Sequence, residues 1–141
     1  NSLSIYLNGD IKAVDISTDI YPGFPTDLQA QWISFMIIAG GVSSIVDNIY
    51  IDRFTHVPEL SRLGANIKMY NNKALVRGVK QLFGANVMST DIRASASLII
   101  GALASIGTTT ISRIYHIDRG YEKIENKLSC LGVDIKRNNE G

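Results

Sequence analysis

The sequence predicts an α/β (α+β) fold in which one β-α-β-α-β-β unit is used twice. Three observations carry this. Two long apolar stretches, Leu28 to Ala39 and Ile92 to Ile106, each start just after a Thr-Asp pair (Thr26-Asp27 and Thr90-Asp91) and each stop at glycine, Gly40-Gly41 and Gly107. Each is followed by a β-branched, extended-looking segment, Val42 to Asp52 and Thr109 to Tyr115. Asp52-Arg53 and Leu63-Gly64 then recur as Asp118-Arg119 and Leu131-Gly132, so that matched landmarks lie about 64 to 68 positions apart. Near-constant spacing of unlike landmarks is the signature of an internal repeat.

Taken in order, Leu3-Ser4-Ile5-Tyr6-Leu7 reads as an opening strand and Asn8-Gly9-Asp10 as a turn. Ile11 to Ile16 alternates apolar and polar, the period of a half-buried strand. Tyr21-Pro22-Gly23-Phe24-Pro25-Thr26-Asp27 holds two prolines and a glycine in seven residues, so it forms a shaped loop that neither helix nor strand can use. Asp27 then stands at the start of the first helix, with Thr26 or Asp27 itself as its N-cap. That helix is apolar on nearly every face and belongs in the core. Pro58 opens a short helix to Leu63, closed by Gly64. Asn66 to Tyr70, Asn71-Asn72 and Lys73 to Val76 read as a hairpin, because Asn tolerates the positive φ that a two-residue turn requires.

In the second unit, Asp118-Arg119 leads to a helix ending at Leu131-Gly132. Val133 to Arg137 reads as a strand running to Asn138-Asn139. The units cover about residues 5–78 and 79–141, and the second lacks its last strand, which leaves an unpaired edge for another segment to complete. With no initiator Met and an abrupt opening, the chain reads as a fragment. The proline loop makes the first unit about five residues longer than the second ahead of its aspartate. An insertion on a repeated scaffold is a functional loop by default.

Composition excludes several classes. The 141 residues are 45% hydrophobic and 19% charged, which places the chain among globular proteins. A net charge of +1 with dispersed basic residues gives no case for nucleic acid or a membrane surface. No apolar run approaches the ~20 residues of a bilayer span. The single cysteine, Cys130, rules out an internal disulfide and fits a reducing cytoplasm. It lies beside Leu128 and Leu131 and reads as a buried packing residue; His56 and His116 lack ligand spacing and read as structural. No glycine-rich phosphate loop is present, so neither nucleotide cofactor nor metal is expected.

From residue types alone, Asp27 is a plain helix cap and the Asp-Arg and Asp-Ile-Arg motifs are local ion pairs. Ile49 is a core strand residue, and Asp91 caps the second apolar helix.

Four ordered motifs change the weighting: Pro22-Gly23-Phe24-Pro25-Thr26-Asp27-Leu28-Gln29-Ala30-Gln31, Arg53-Phe54-Thr55-His56-Val57-Pro58-Glu59-Leu60, Thr90-Asp91-Ile92-Arg93-Ala94-Ser95-Ala96-Ser97-Leu98, and His116-Ile117-Asp118-Arg119-Gly120-Tyr121-Glu122. Together they resemble the enolpyruvyl transferase family, in its branch acting on UDP-N-acetylglucosamine. The resemblance implies an inside-out α/β barrel with helices within and sheets outside. Each domain is then built of three repeats, of which this chain supplies two, and the active site lies between two domains. It implies a cytoplasmic enzyme of peptidoglycan synthesis that joins phosphoenolpyruvate to UDP-N-acetylglucosamine, needs no cofactor, and is inactive without its missing N-terminal portion.

It further implies Asp27 as the base at the acceptor hydroxyl, supported by Thr26. Arg93 and Arg119 grip phosphoenolpyruvate or the leaving phosphate, Arg53 lines the same cleft, Ile49 contacts the sugar nucleotide through its backbone, and Asp91 orients Arg93. A guanidinium suits phosphate and carboxylate because its planar fork meets both with paired hydrogen bonds. Two alternatives share the scaffold: the sister activity, 3-phosphoshikimate 1-carboxyvinyl transfer, and a non-catalytic interaction module.

Overall fold

In the computed structural model, which describes residues 1–138, the chain folds as β1 (Ile16–Ser17), a 3₁₀ turn (Thr26–Leu28), α1 (Gln29–Met36), β2 (Val42–Val46), α2 (Val57–Arg62), β3 (Asn66–Tyr70) and β4 (Lys73–Arg77). There follow β5 (Leu82–Phe83), β6 (Asn86–Met88), α3 (Ile92–Leu103), β7 (Ser105–Ile106), β8 (Thr110–Ser112), α4 (Tyr115–Asp118) and α5 (Ile124–Cys130).

The first half makes a four-stranded sheet in the order β1-β2-β4-β3. Strands β1 and β2 are parallel, and the remaining pairs antiparallel. The β3–β4 hairpin turns at Asn71, whose φ of 49° is the left-handed conformation the turn demands. In the second half β6 pairs in parallel with β8 across α3, as β1 does with β2 across α1, and β5 pairs in parallel with β7.

Helices α1 and α3 lie against each other at the centre. Ser34 Oγ of α1 donates to the Ser97 carbonyl of α3 at 2.7 Å. Ile33, Ile37, Ile45, Leu60, Leu63, Val76, Leu82 and Leu98 are completely buried around them. Each such side chain stabilises by about 1.5–3 kcal/mol on burial. Gly78 locks the join between the halves: its N–H donates to the Gly41 carbonyl, and a Cβ there would overlap the Ala39 backbone carbonyl.

Several expected elements change. Leu3 to Leu7 forms no strand; it pairs with nothing among the described residues, and Leu3, Ile5, Tyr6 and Leu7 are 79–85% exposed. In Ile11 to Ile16 the alternation breaks where Val14 and Asp15 are both exposed, and the backbone pairs only at an isolated bridge of Lys12 with Gly40 and again from Ile16; between them side chains take the backbone bonds. The Val14 N–H donates to Ser43 Oγ (3.1 Å), and the Ser44 N–H donates to Asp15 Oδ1 (2.7 Å). Strand β2 stops at Val46 rather than Asp52, since the Asp47 side chain accepts the N–H groups of Ile49 and Tyr50 and turns the chain.

Helix α3 ends at Leu103, not Ile106, as Ser105–Ile106 leaves to pair with Leu82–Phe83. Of the helix expected between Asp118 and Leu131 only α5 (Ile124–Cys130) forms, and a separate short helix, α4 (Tyr115–Asp118), precedes it, beginning at the last residue of the segment expected to be a strand. Gly120 separates them, where a Cβ would strike Ile92 Cδ1. Val133 to Arg137 is not a strand: it has no ladder partner among the described residues, and Arg137 is drawn instead to Asp118 and Glu125. Asn139, placed in a terminal turn by the sequence, lies outside the described residues. Cys130 is exposed rather than packed, because α5 has no layer over it and buries none of its residues.

Candidate active site

The proline loop delivers Thr26 and Asp27 on a 3₁₀ turn ahead of α1, and neither caps that helix. Its N-cap position is Leu28, which makes no side-chain capping bond. The physical reason is competition. The Thr26 hydroxyl donates to Asp47 Oδ2 at 2.7 Å, while the Asp27 carboxylate turns outward and accepts from Arg93 Nε at 2.7 Å and from Arg53 Nη1 at 3.2 Å. Arg53 Nη1 also donates to Thr26 Oγ1 at 3.1 Å. The local pairs expected within each motif are therefore not made. Arg53 and Arg93 both pair with Asp27, and Asp118 pairs with Arg137.

Both guanidinium bonds fall on Oδ1 of Asp27, and Oδ2 has no partner among the described residues. The Asp27 side chain is 66% exposed, so that second oxygen opens to solvent. Arg53 is further fixed by its guanidinium carbon lying 3.8 Å from the Tyr50 ring centroid, a cation–π contact.

Asp91 is the cap that its sequence position implies. Its Oδ1 accepts the N–H groups of Arg93 (2.8 Å) and Ala94 (3.1 Å), which fixes the first turn of α3 and with it the root of the Arg93 side chain. Thr90, Asp91, Ile92, Arg93, His116 and Arg119 line an open cleft of about 420 Å³. His116 belongs to this cleft, half-buried with its ring 4.3 Å from that of Tyr115, and is not a core residue. A smaller hollow of about 210 Å³ on the β3–β4 sheet is lined by none of these residues.

Among the residues that line the cleft, Arg93 and Arg119 outnumber Asp91, whose carboxylate is already spent on a helix N-terminus. The surplus is positive, which suits a small anion.

Asp47 is the residue the sequence reading missed. It is completely buried and accepts from Thr18 Oγ1 (2.8 Å), Thr26 Oγ1 (2.7 Å), Gln29 Nε2 (3.4 Å) and the N–H groups of Ile49 (3.0 Å) and Tyr50 (2.9 Å). Burial pushes its pKa up, but bonds from Tyr50, Thr26, Thr18 and Ile49 prevail and hold it below the ordinary aspartate value. Its signal was an Asp-Asn pair at the end of a β-branched run, a turn-former where a longer strand was expected. Through Asp47, Ile49 is tied to the same hub as Thr26. Ile49 itself is 38% exposed on the turn after β2 rather than in the core.

His56 is buried against Phe54, their rings 6.3 Å apart, and burial lowers its pKa to about 4 although Asp91 pulls the other way. No cluster of metal-ligating side chains is found among the described residues, and none of their helices is long and apolar enough to cross a membrane.

The sequence profile of the family described as EPSP synthase (3-phosphoshikimate 1-carboxyvinyltransferase) matches residues 3–128. The chain is 62% identical over 117 residues to the UDP-N-acetylglucosamine 1-carboxyvinyltransferase of Chloroherpeton thalassium, covering 83% of this chain and 27% of that protein. It is 53% identical over 137 residues to the enzyme of the same name from Pelodictyon phaeoclathratiforme, covering 97% of this chain and 32% of that one. The chain thus spans about a third of the length of the curated relatives it matches. The crystal structure of the enolpyruvyl transferase NikO from Streptomyces tendae superposes with a TM-score of 0.83 at 30% identity, over 92% of this chain and 30% of NikO. On the extent of the profile match and the shared arrangement of elements, the chain belongs to the EPSP synthase family of enolpyruvyl (carboxyvinyl) transferases.

Proposed function

We propose that this chain is the C-terminal part of a cytoplasmic transferase that moves the enolpyruvyl group of phosphoenolpyruvate to the 3-hydroxyl of UDP-N-acetylglucosamine. Phosphate is released, in the first committed step of peptidoglycan synthesis. In the proposed architecture residues 5–78 and 79–141 are two of the three repeats of one inside-out barrel domain. The cleft is closed by the missing N-terminal portion of the same enzyme, so the segment alone does not turn over.

One observation carries the chemistry: Asp27 presents Oδ2 free while Arg53 and Arg93 clamp Oδ1. The acceptor hydroxyl hydrogen-bonds to Oδ2 and passes its proton there as its oxygen bonds to the central carbon of phosphoenolpyruvate. The π pair of the carbon–carbon double bond takes up a proton at the methylene carbon, giving a tetrahedral adduct with a methyl group. That methyl then gives up a proton as the bond from the central carbon to the phosphate oxygen breaks, which restores the double bond and releases phosphate. Arg93 and Arg119 line the cleft beside Asp27 and stabilise the charge that builds on phosphate and carboxylate oxygens. Arg53, held by Tyr50 and Thr26, orients the aspartate. The turn at Ile49, pinned by Asp47, offers backbone to the sugar nucleotide. The choice of acceptor rests on the relatives, which are 52–62% identical and carry the sugar-nucleotide name.

The test is phosphate release by the complete protein from phosphoenolpyruvate, with UDP-N-acetylglucosamine or 3-phosphoshikimate as acceptor. Release with the sugar nucleotide alone is expected. Release with 3-phosphoshikimate alone would move the chain to the sister activity, and release with neither would make it a non-catalytic module.

A further inference from the structure

The tail beyond α5 carries one ordered device outside the Asp27 cluster. Arg137 makes four hydrogen bonds: Nη1 and Nη2 to the two carboxylate oxygens of Asp118 (2.9 and 2.7 Å), and Nε and Nη2 to the two of Glu125 (3.0 Å each). Both contacts are two-pronged, the geometry in which a guanidinium recognises a carboxylate best. Asp118 ends α4 and Arg119 follows it directly, in the cleft beside Arg93 and His116. Successive residues on a helical turn project about 100° apart, so the two side chains leave the backbone in different directions. Asp118 goes to the tail. Arg119 goes to the cleft, where it makes no ion pair among the described residues.

We propose that Arg137 is a positioning residue for the cleft: by engaging both Asp118 and Glu125 it keeps their negative charge off Arg119, leaving that guanidinium available to a phosphate oxyanion. The proposal rests on the reading of Arg119 as a phosphate contact. Without Arg137, two carboxylates that lie close enough to share one guanidinium are left uncompensated, and one of them, Asp118, is free to turn toward the residue that follows it, Arg119. The Asp118 carboxylate then competes with the ligand for it, and the positive surplus of the cleft falls.

The test uses the complete protein and inorganic phosphate, with affinity read by calorimetry and Tm followed in parallel. Arg119→Ala is expected to weaken phosphate at least tenfold, the scale of a lost charge-assisted bond. Arg137→Ala is expected to weaken it about tenfold, Arg137→Lys less, and Arg137→Ala with Asp118→Asn to recover most of the loss because the competing charge is gone. Wild-type affinity in Arg137→Ala, with Arg119→Ala impaired, would overturn the proposal but not the reading of Arg119. An unimpaired Arg119→Ala would overturn that reading itself. A weakened Arg137→Ala that Asp118→Asn does not restore would make the role merely structural and also overturn the proposal. Should Arg137→Ala not fold, Arg137→Gln decides, alone and with Asp118→Asn. A loss of about tenfold that Asp118→Asn restores supports the proposal, and wild-type affinity in Arg137→Gln alone overturns it.

Discussion

Arg93 Nε donates to Asp27 Oδ1 at 2.7 Å, joining the start of α3 to the turn ahead of α1 although 66 positions separate the two residues. The contact ties the two halves of the chain at one carboxylate. Because the aspartate side chain is 66% exposed, the pair adds little to stability and its value is geometric.

Arg93→Lys keeps the charge but has no Nε–H to place. It is expected to raise KM for phosphoenolpyruvate about tenfold in the complete enzyme, with Tm within ~2 °C of wild type. Steady-state kinetics with the acceptor saturating checks this; an unchanged KM would separate Arg93 from anion binding.

Asp47 is expected to behave as a buried structural carboxylate. Asp47→Asn should cost about 2–3 kcal/mol at pH 7, because it replaces an acceptor of several bonds by a group that is half donor. The native pKa is lowered, so the unfolded state binds the proton first on acidification. The stabilisation is complete above the unfolded value of 3.8 and is lost as pH falls through the native one. Urea unfolding between about pH 5 and 3 should show a steeper acid loss in wild type than in the variant, which keeps the His56 contribution.

His56 gives a second acid dependence at higher pH. Its native pKa is about 4 against an unfolded 6.5, so below pH 6.5 only the unfolded state is protonated and stability falls until about pH 4. The full loss is about 3 kcal/mol. His56→Phe keeps a ring beside Phe54 and should flatten the stability curve between pH 6.5 and 4. An equal slope in wild type and variant would refute the assignment.

Periodic and punctuating residues made much of this fold legible in the sequence. The apolar stretches gave α1 and α3, Asn71 gave the hairpin, and Asp91 was a readable cap. The ends of elements were not, because they are decided by partners distant in the chain. Ser105–Ile106 leaves a helical pattern only because Leu82–Phe83 is there to pair with it, and Leu3 to Leu7 has strand residues but no strand beside it. At the site, local rules assigned Asp27 to its own helix and Arg53 to Asp52. The motif resemblance singled out Asp27, Arg53 and Arg93 one by one, but nothing local could show that the three converge. Asp47 was hidden for the same reason: its five donors come from three separate segments.

The most direct test of the account is kcat for phosphate release by the complete enzyme carrying Asp27→Asn, measured with UDP-N-acetylglucosamine and phosphoenolpyruvate beside its Tm. A loss of a proton acceptor from the reacting hydroxyl predicts a fall in kcat of at least about 100-fold, with stability changed by less than ~1 kcal/mol. A kcat within threefold of wild type, in a protein folded as well, would contradict the role given to Asp27.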